Sequence, residues 1–294
     1  MVEEKASLKA RLLLNLCLLS FLLGLFMFIQ FWPTDTVDRT VPISGLNTED
    51  VNLIKVHRKN QEEIVIKRSG NTWRMVKPNH ARVSEFQIDR VLEIVKARSA
   101  HKINDYDQEE FGFDLPDITL TINGQKFLFG QINQITNEQY LKTEGAAYLV
   151  APHLGYSIPG DLEKFFSHKI LSVDEIPTSI EFKSWKVVQE DNGSWKKVSL
   201  LPTSIDNDLS PDHLNQWVIG WKLTSSLTAQ PFEGPLVGTK ARVNTSSGTS
   251  VVFHIIKNER GHLFVREDEK MGYQLGEDAG NRLLDPFEVA TPQS

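Results

Sequence analysis

The stretches SEFQIDRVLEIVK (84–96) and SPDHLNQWVIGWKL (210–223) decide how this chain is read. Each opens on a serine suited to cap a helix. Ser84 is followed three residues later by Gln87, an S-x-x-Q capping box, and Ser210 by Pro211 at the favoured first helical position. Four residues beyond each serine the same stripe begins, at i, i+3, i+4 and i+7. It is Ile88, Val91, Leu92 and Val95 in the first, and Leu214, Trp217, Val218 and Trp221 in the second. That spacing puts four side chains on one helical face, as packing a helix on a sheet requires.

Working outward, each helix is preceded by a hairpin bearing a tryptophan. In the first, EEIVIKRS turns at Gly70-Asn71 into Trp73 and closes at Pro78. In the second, IEFKSWKVVQE turns at Asn192-Gly193 into Trp195 and closes at Pro202. Alternating segments follow each helix. Ile118, Leu120 and Ile122 run into an Asn123-Gly124 turn, with a second hairpin around Glu144-Gly145. The later copy offers 241–244, 251–256, a turn at Arg260-Gly261, 262–266 and 273–275. The expectation is an α+β protein with two tandem β-β-α-β-β-β-β units, each an antiparallel sheet with one packed helix, at 51–152 and 176–280. Trp73, Ile88, Leu92, Trp195, Leu214, Trp217 and Trp221 are its expected core. A linker at 153–175 carries a short helix over 161–169 whose Leu162, Phe165 and Phe166 dock on both units, and 281–294 read as a disordered tail.

The N-terminal end is of a different kind. From Leu12 to Trp32 there is no charged residue, and 21 helical residues span about 31 Å against a hydrocarbon core of about 30 Å. This predicts a transmembrane helix over 12–32, with Trp32 at the interface and Pro33 ending it. Lys5, Lys9 and Arg11 lie before the run, Asp35 and Asp38 after it. The positive-inside rule therefore makes 1–11 a cytoplasmic tail, 33–50 a connector and the remainder periplasmic, on a single-pass bacterial inner-membrane protein. No A-x-A-like site follows, so the anchor is expected to stay uncleaved.

Composition excludes several classes. The net charge is −6 with pI near 5.8, and residues 1–11 carry +1, which leaves −7 for the rest. That field does not attract nucleic acid. Cys17, the one cysteine, lies inside the apolar run, so no disulfide or thiolate metal site is expected outside it. The acidic run Asp105, Asp107, Glu109, Glu110, Asp114 fails the calcium-loop spacing, as does Asp206, Asp208, Ser210. Eight histidines form no H-x-H or H-x-x-x-H pair, and neither G-x-S-x-G nor H-E-x-x-H occurs. No catalytic, cofactor-binding or metal-binding residue is assigned. Trp185, flanked by lysines in FKSWKVV, is the candidate for a surface contact.

The order hairpin-Trp-Pro, capped helix, then Asp107 through Phe111-Gly112-Phe113-Asp114-Leu115-Pro116, then Phe129-Gly130 and Tyr140, resembles a bacterial family of uncharacterised domains, the DUF4340 type. Gly112, Asp114, Pro116, Phe129 and Gly130 carry the resemblance; the second copy departs from it at Phe232-Glu233-Gly234-Pro235-Leu236. Residue physics reads the motif as a tight turn at Gly112, local capping by Asp114 and an extended exit at Pro116. Members are encoded beside gliding-motility-type ABC exporters and their auxiliary subunit. The resemblance implies a non-enzymatic periplasmic accessory subunit, with an ABC-type permease or auxiliary membrane protein as partner. The alternatives are a solute- or glycan-binding module, which a deep cleft near 153–175 would favour, and an envelope hydrolase.

Overall fold

A computed structural model describes residues 2–31, 40–70, 72–201 and 209–288, with side chains of the first segment described over 13–28. The expectations for Trp32, Pro33, Asp35, Asp38, Asn71, Pro202, the pair Asp206 and Asp208, and residues 289–294 lie outside the described residues. The chain divides into two units, 1–40 and 41–294.

The first unit contains helix α1, Val2–Phe31. Its described large apolar side chains, Leu13 to Phe28, are 46–70% exposed all round the helix. Among the described residues no helix is long and apolar enough to cross a membrane.

The second unit is mixed α+β with antiparallel sheets. Its first half contains β1 (Val41–Pro42), β2 (Leu53–Arg58), β3 (Ile64–Ser69), β4 (Thr72–Lys77), β5 (Ala81–Arg82), α2 (Glu85–Lys96), β6 (Arg98–Ser99), β7 (Lys102–Ile103), β8 (Ile118–Ile122), β9 (Gln125–Ile132), β10 (Gln139–Thr143), β11 (Ala146–Val150) and the short helix α3 (His153–Tyr156). The second half contains β12 (Pro177–Glu181), β13 (Trp185–Gln189), β14 (Trp195–Ser199), α4 (Pro211–Leu223), β15 (Thr228–Pro231), β16 (Thr239–Thr245), β17 (Ser250–Asn258), β18 (Gly261–Arg266), β19 (Met271–Leu275) and α5 (Glu277–Leu284). One sheet runs β5-β4-β3-β2-β8-β9-β10-β11-β7 and the other β14-β13-β12-β16-β17-β18-β19-β15; β1 pairs with β6 apart from both.

Without β5, the two orders are the same. A three-strand meander leads into a helix; the strand after the helix crosses to the far edge, and a four-strand meander fills the space between. The unit is therefore β-β-β-α-β-β-β-β-β, which corrects the expected two strands before the helix to three and adds an edge strand after it. The missed strand β2 interrupts its apolar positions Ile54 and Val56 with Lys55, His57 and Arg58. In the second half, Phe182 to Ser184 break IEFKSWKVVQE into β12 and β13. Each half then closes with a helix after its last strand, α3 on α2 and α5 on α4. The boundary at 153 leaves α3 outside its unit and the one at 281 runs through α5; Glu277–Leu284 and Pro286–Glu288 are helical, so the described start of the expected tail is ordered structure.

Both stripes are buried, Ile88, Val91, Leu92 and Val95 in α2 and Leu214, Trp217, Val218 and Trp221 in α4. Trp73 and Trp195 are buried as well, and one continuous apolar core runs through both halves rather than two separate cores. The caps differ from expectation on one side. Ser210 Oγ accepts a hydrogen bond from the His213 amide at 3.3 Å, whereas the Ser84 hydroxyl makes no capping bond and the Gln87 box is not formed. The linker helix shortens to a 3-10 turn, Leu162–Phe165, yet Phe165 and Phe166 are fully buried. The backbone of Phe166 also bridges that of Val83 beside β5.

Candidate functional site at the junction of the halves

Strand β5, the linker and the β18–β19 hairpin meet in a buried polar node. Arg82 is 5% exposed and Arg266 1% exposed, so each needs a fixed partner for every donor it removes from water. Arg82 Nε donates to Glu269 Oε1 at 2.8 Å, and its Nη2 donates to Tyr273 Oη at 2.8 Å and to the carbonyls of Lys169 and Ile170. Tyr273 passes the chain on, donating to Glu269 Oε2 at 2.9 Å. Arg266 forks onto both oxygens of Glu175, reaches the Ile170 carbonyl at 3.3 Å and binds Asp268. Arg74 approaches Glu269 at 3.4 Å from the rim. Carbonyls of an irregular linker, which would otherwise be buried without donors, are thereby satisfied by arginines from both halves.

The electrostatics follow from this geometry. Burial works against the charge on Glu175, but the Arg266 hydrogen bonds and charge outweigh it and hold the carboxyl at about 2. Burial would likewise lower the Arg266 guanidinium, and bonds to Glu175 and Asp268 raise it instead. Burial pushes the Tyr273 phenol up. One donor of the node is left over, the buried Arg82 Nη1, which has no partner among the described residues.

Beside the node lies a cleft of about 510 Å³, lined among others by Trp73, Arg82, Ser84, Phe86, Asp89 and His168. Phe86 is 65% exposed on it. His168 Nδ1 lies 3.0 Å from the Ser226 carbonyl, which can only accept, so Nδ1 is the donor there. The volume falls within the range of ordinary ligand sites, about 300–1,000 Å³. Among the described residues no group of three or more His, Cys, Asp or Glu could hold a metal ion.

The residues expected to carry the family pattern form a docking loop elsewhere, on the first sheet. The Gln131 amide donates to the Phe111 carbonyl at 2.9 Å, tying the 107–116 loop to β9. A Cβ at Gly130 would stand 2.1 Å from the Phe111 oxygen and 2.9 Å from the Phe113 ring, so the strand must be bare there. Phe111 stacks on Tyr140 at 4.0 Å, and Gly112 has φ +75°. Local capping belongs to Asp107, whose Oδ1 accepts from the amides of Glu109 and Glu110, and not to the exposed Asp114. Pro116 stands two residues before β8, and Phe129 is buried.

Trp185 is half-buried, stacked on Phe182 at 4.4 Å and 5.7 Å from Trp217, with Lys197 over its ring. It joins the aromatic core rather than standing as a free surface platform. The node itself was invisible to sequence reasoning because Arg82 and Glu269 are 187 positions apart.

Comparison with curated proteins and with solved structures finds no match. The model of one family, described as a domain of unknown function, matches residues 73–219, half of the chain, from β4 in the first half through most of α4 in the second. The chain belongs to that family, DUF4340.

Proposed function

We propose that this chain is a non-enzymatic, membrane-anchored accessory protein, whose α+β unit acts by binding a protein partner in an ABC-type transport or cell-envelope complex. The observation that carries the reading is the apolar surface of α1. The large apolar side chains from Leu13 to Phe28 are exposed on every side of this helix, and lipid is a solvent that suits such a surface. The uncharged run continues to Trp32, with positive charge before it and negative charge after it, which puts the N-terminus in the cytoplasm and the rest in the periplasm. Support for a positioning role comes from the node, because its buried charges are committed to structural ion pairs, Arg82 with Glu269 between the two halves and Arg266 with Glu175 between the second half and the linker. The test is purification of the complex from native membranes after gentle solubilisation. Recovery with a permease or ATPase supports the reading; recovery of this chain alone, or from the soluble fraction, contradicts it.

A second reading has a specific observation in its favour. The cleft beside residues 167–173 has the size and the aromatic rim that a solute- or glycan-binding module needs. A thermal shift with a panel of oligosaccharides and small solutes tests it. A shift that is lost in Phe86→Ala would favour this reading over the accessory role.

A further inference from the structure

We infer that His262 and Gly280 form a pH-sensitive latch that holds the closing helix α5 on the second half only while the imidazole is neutral. His262 sits in β18 with 4% of its surface exposed, and its Nδ1 is buried without a hydrogen-bond partner among the described residues. Helix α5 lies directly on that nitrogen. A Cβ built at Gly280 would fall 2.3 Å from Nδ1 and 2.6 Å from Cγ, so only a glycine lets the helix backbone approach the ring. An unpartnered Nδ1 is tolerable as a bare lone pair, with the proton on Nε2. Adding a proton there creates a charged donor with no acceptor, pressed against the first turn of a helix whose dipole also disfavours positive charge.

The charges around the ring come from two elements. Lys257, paired across from His262 on β17, opposes protonation; Glu277, at the start of α5, favours it; and these two bind each other at 3.1 Å. The neighbouring strand β19 presents Leu275 opposite His262, and Gln274 donates to the His262 carbonyl. Burial, followed by Lys257, keeps the imidazole below its ordinary value despite Glu277. A histidine held neutral in the fold contributes its full stabilisation above about pH 6.5 and loses it as pH falls through that value towards the folded one.

Release of α5 has a defined consequence. The last-turn carbonyls of Arg282 and Leu283 accept hydrogen bonds from Trp217 Nε1 at 2.9 Å and Trp221 Nε1 at 3.1 Å, and the Pro286 carbonyl lies 2.6 Å from His213 Nε2. Undocking the helix breaks these bonds and bares the indoles to solvent, so acidification exposes an aromatic surface on α4.

The test uses the full chain in detergent micelles, followed between pH 7.5 and 5. Hydrogen exchange over 277–284, corrected for intrinsic rate, should lose up to about tenfold protection per pH unit below 6.5, while β8 to β10 hold theirs. His262→Gln should flatten the profile, and Gly280→Ala should lower protection at every pH. NMR of His262 in the unaltered chain reads the latch even if a variant does not fold. An Nε2-protonated ring titrating below the ordinary histidine value supports the inference. An Nδ1-protonated ring, titration at or above that value, or pH-independent protection of α5 overturns it.

Discussion

Val91 and Trp217 stand at the same place in the two halves, seven residues after the helix-opening serine and buried beneath sheets of the same strand order. Val95 and Trp221 correspond in the same way. The first helix meets its sheet with aliphatic side chains, and its closing helix α3 is one turn long, adjoining a Ser157 hydroxyl that donates to the Arg90 and Leu154 carbonyls. The second helix meets its sheet with indoles, whose N–H groups reach past the core to the unpaired carbonyls ending α5. A valine has no such donor. The difference teaches that one strand order accepts two kinds of core, and that the kind chosen decides how much chain the helix can hold on its outer side.

The loops after the crossing strands make the same point. In the first half the 107–116 loop is bulky and aromatic, and the strand beneath it is thinned to Gly130. In the second half the loop is short and is itself thinned, with a Cβ at Gly238 falling 2.2 Å from the Ile255 carbonyl on β17. Both loops press on the second strand of the hairpin that follows them, β9 or β17; the glycine has changed sides.

The largest expected effect breaks the comparison at the helices. Trp217→Ala should cost about 3–5 kcal/mol in denaturant unfolding, and Val91→Ala about 2 kcal/mol. Equal losses would show that the indole contributes no more than its aliphatic counterpart. A similar loss, about 3–5 kcal/mol, is expected for Arg82→Met, because Glu269 and the Tyr273 hydroxyl would stay buried with their main partner gone. Pairing it with Glu269→Gln should recover part of that loss.

A smaller effect sharpens the contrast between the loops. Gly130→Ala should cost about 1–3 kcal/mol by forcing Phe111 and Phe113 off β9, measured by thermal melting and by the near-ultraviolet signal of the loop aromatics. The smallest is an acid dependence at the junction. Glu175 has its carboxyl held at about 2 against an ordinary 4.5, so its contribution is complete above pH 4.5 and is lost as pH falls towards 2. In Glu175→Gln that part of the acid transition should vanish. An unchanged acid limb would show that the Arg266 fork is loose in solution.

Much of this architecture was legible because the helices carry their pattern locally. Ser84 and Ser210 opened matching stripes, and Asn123-Gly124 and Glu144-Gly145 marked two-residue turns that close β8 on β9 and β10 on β11. What escaped was short or distant. The two-residue strands β5 and β7 hold too few positions for any period, and β2 carries three basic side chains in six residues. Helix α5 was missed, its first four residues left in the second unit and its last four in the expected tail, although Glu277 and Asp278 in its first turn and Arg282 in its last match a helix dipole. The junction was beyond reach for a different reason: its members come from β5, the linker, β18 and β19, and no local pattern announces that they meet.

The central claim is that two halves of like topology are fused, through one core and one buried node, into a single cooperative unit. Native-state hydrogen exchange in rising denaturant, read peptide by peptide, tests it most directly. The account predicts that β8 and β9 in the first half and β16 and β17 in the second exchange through one common opening of equal free energy. Exchange of one half while the other keeps its full protection would contradict it.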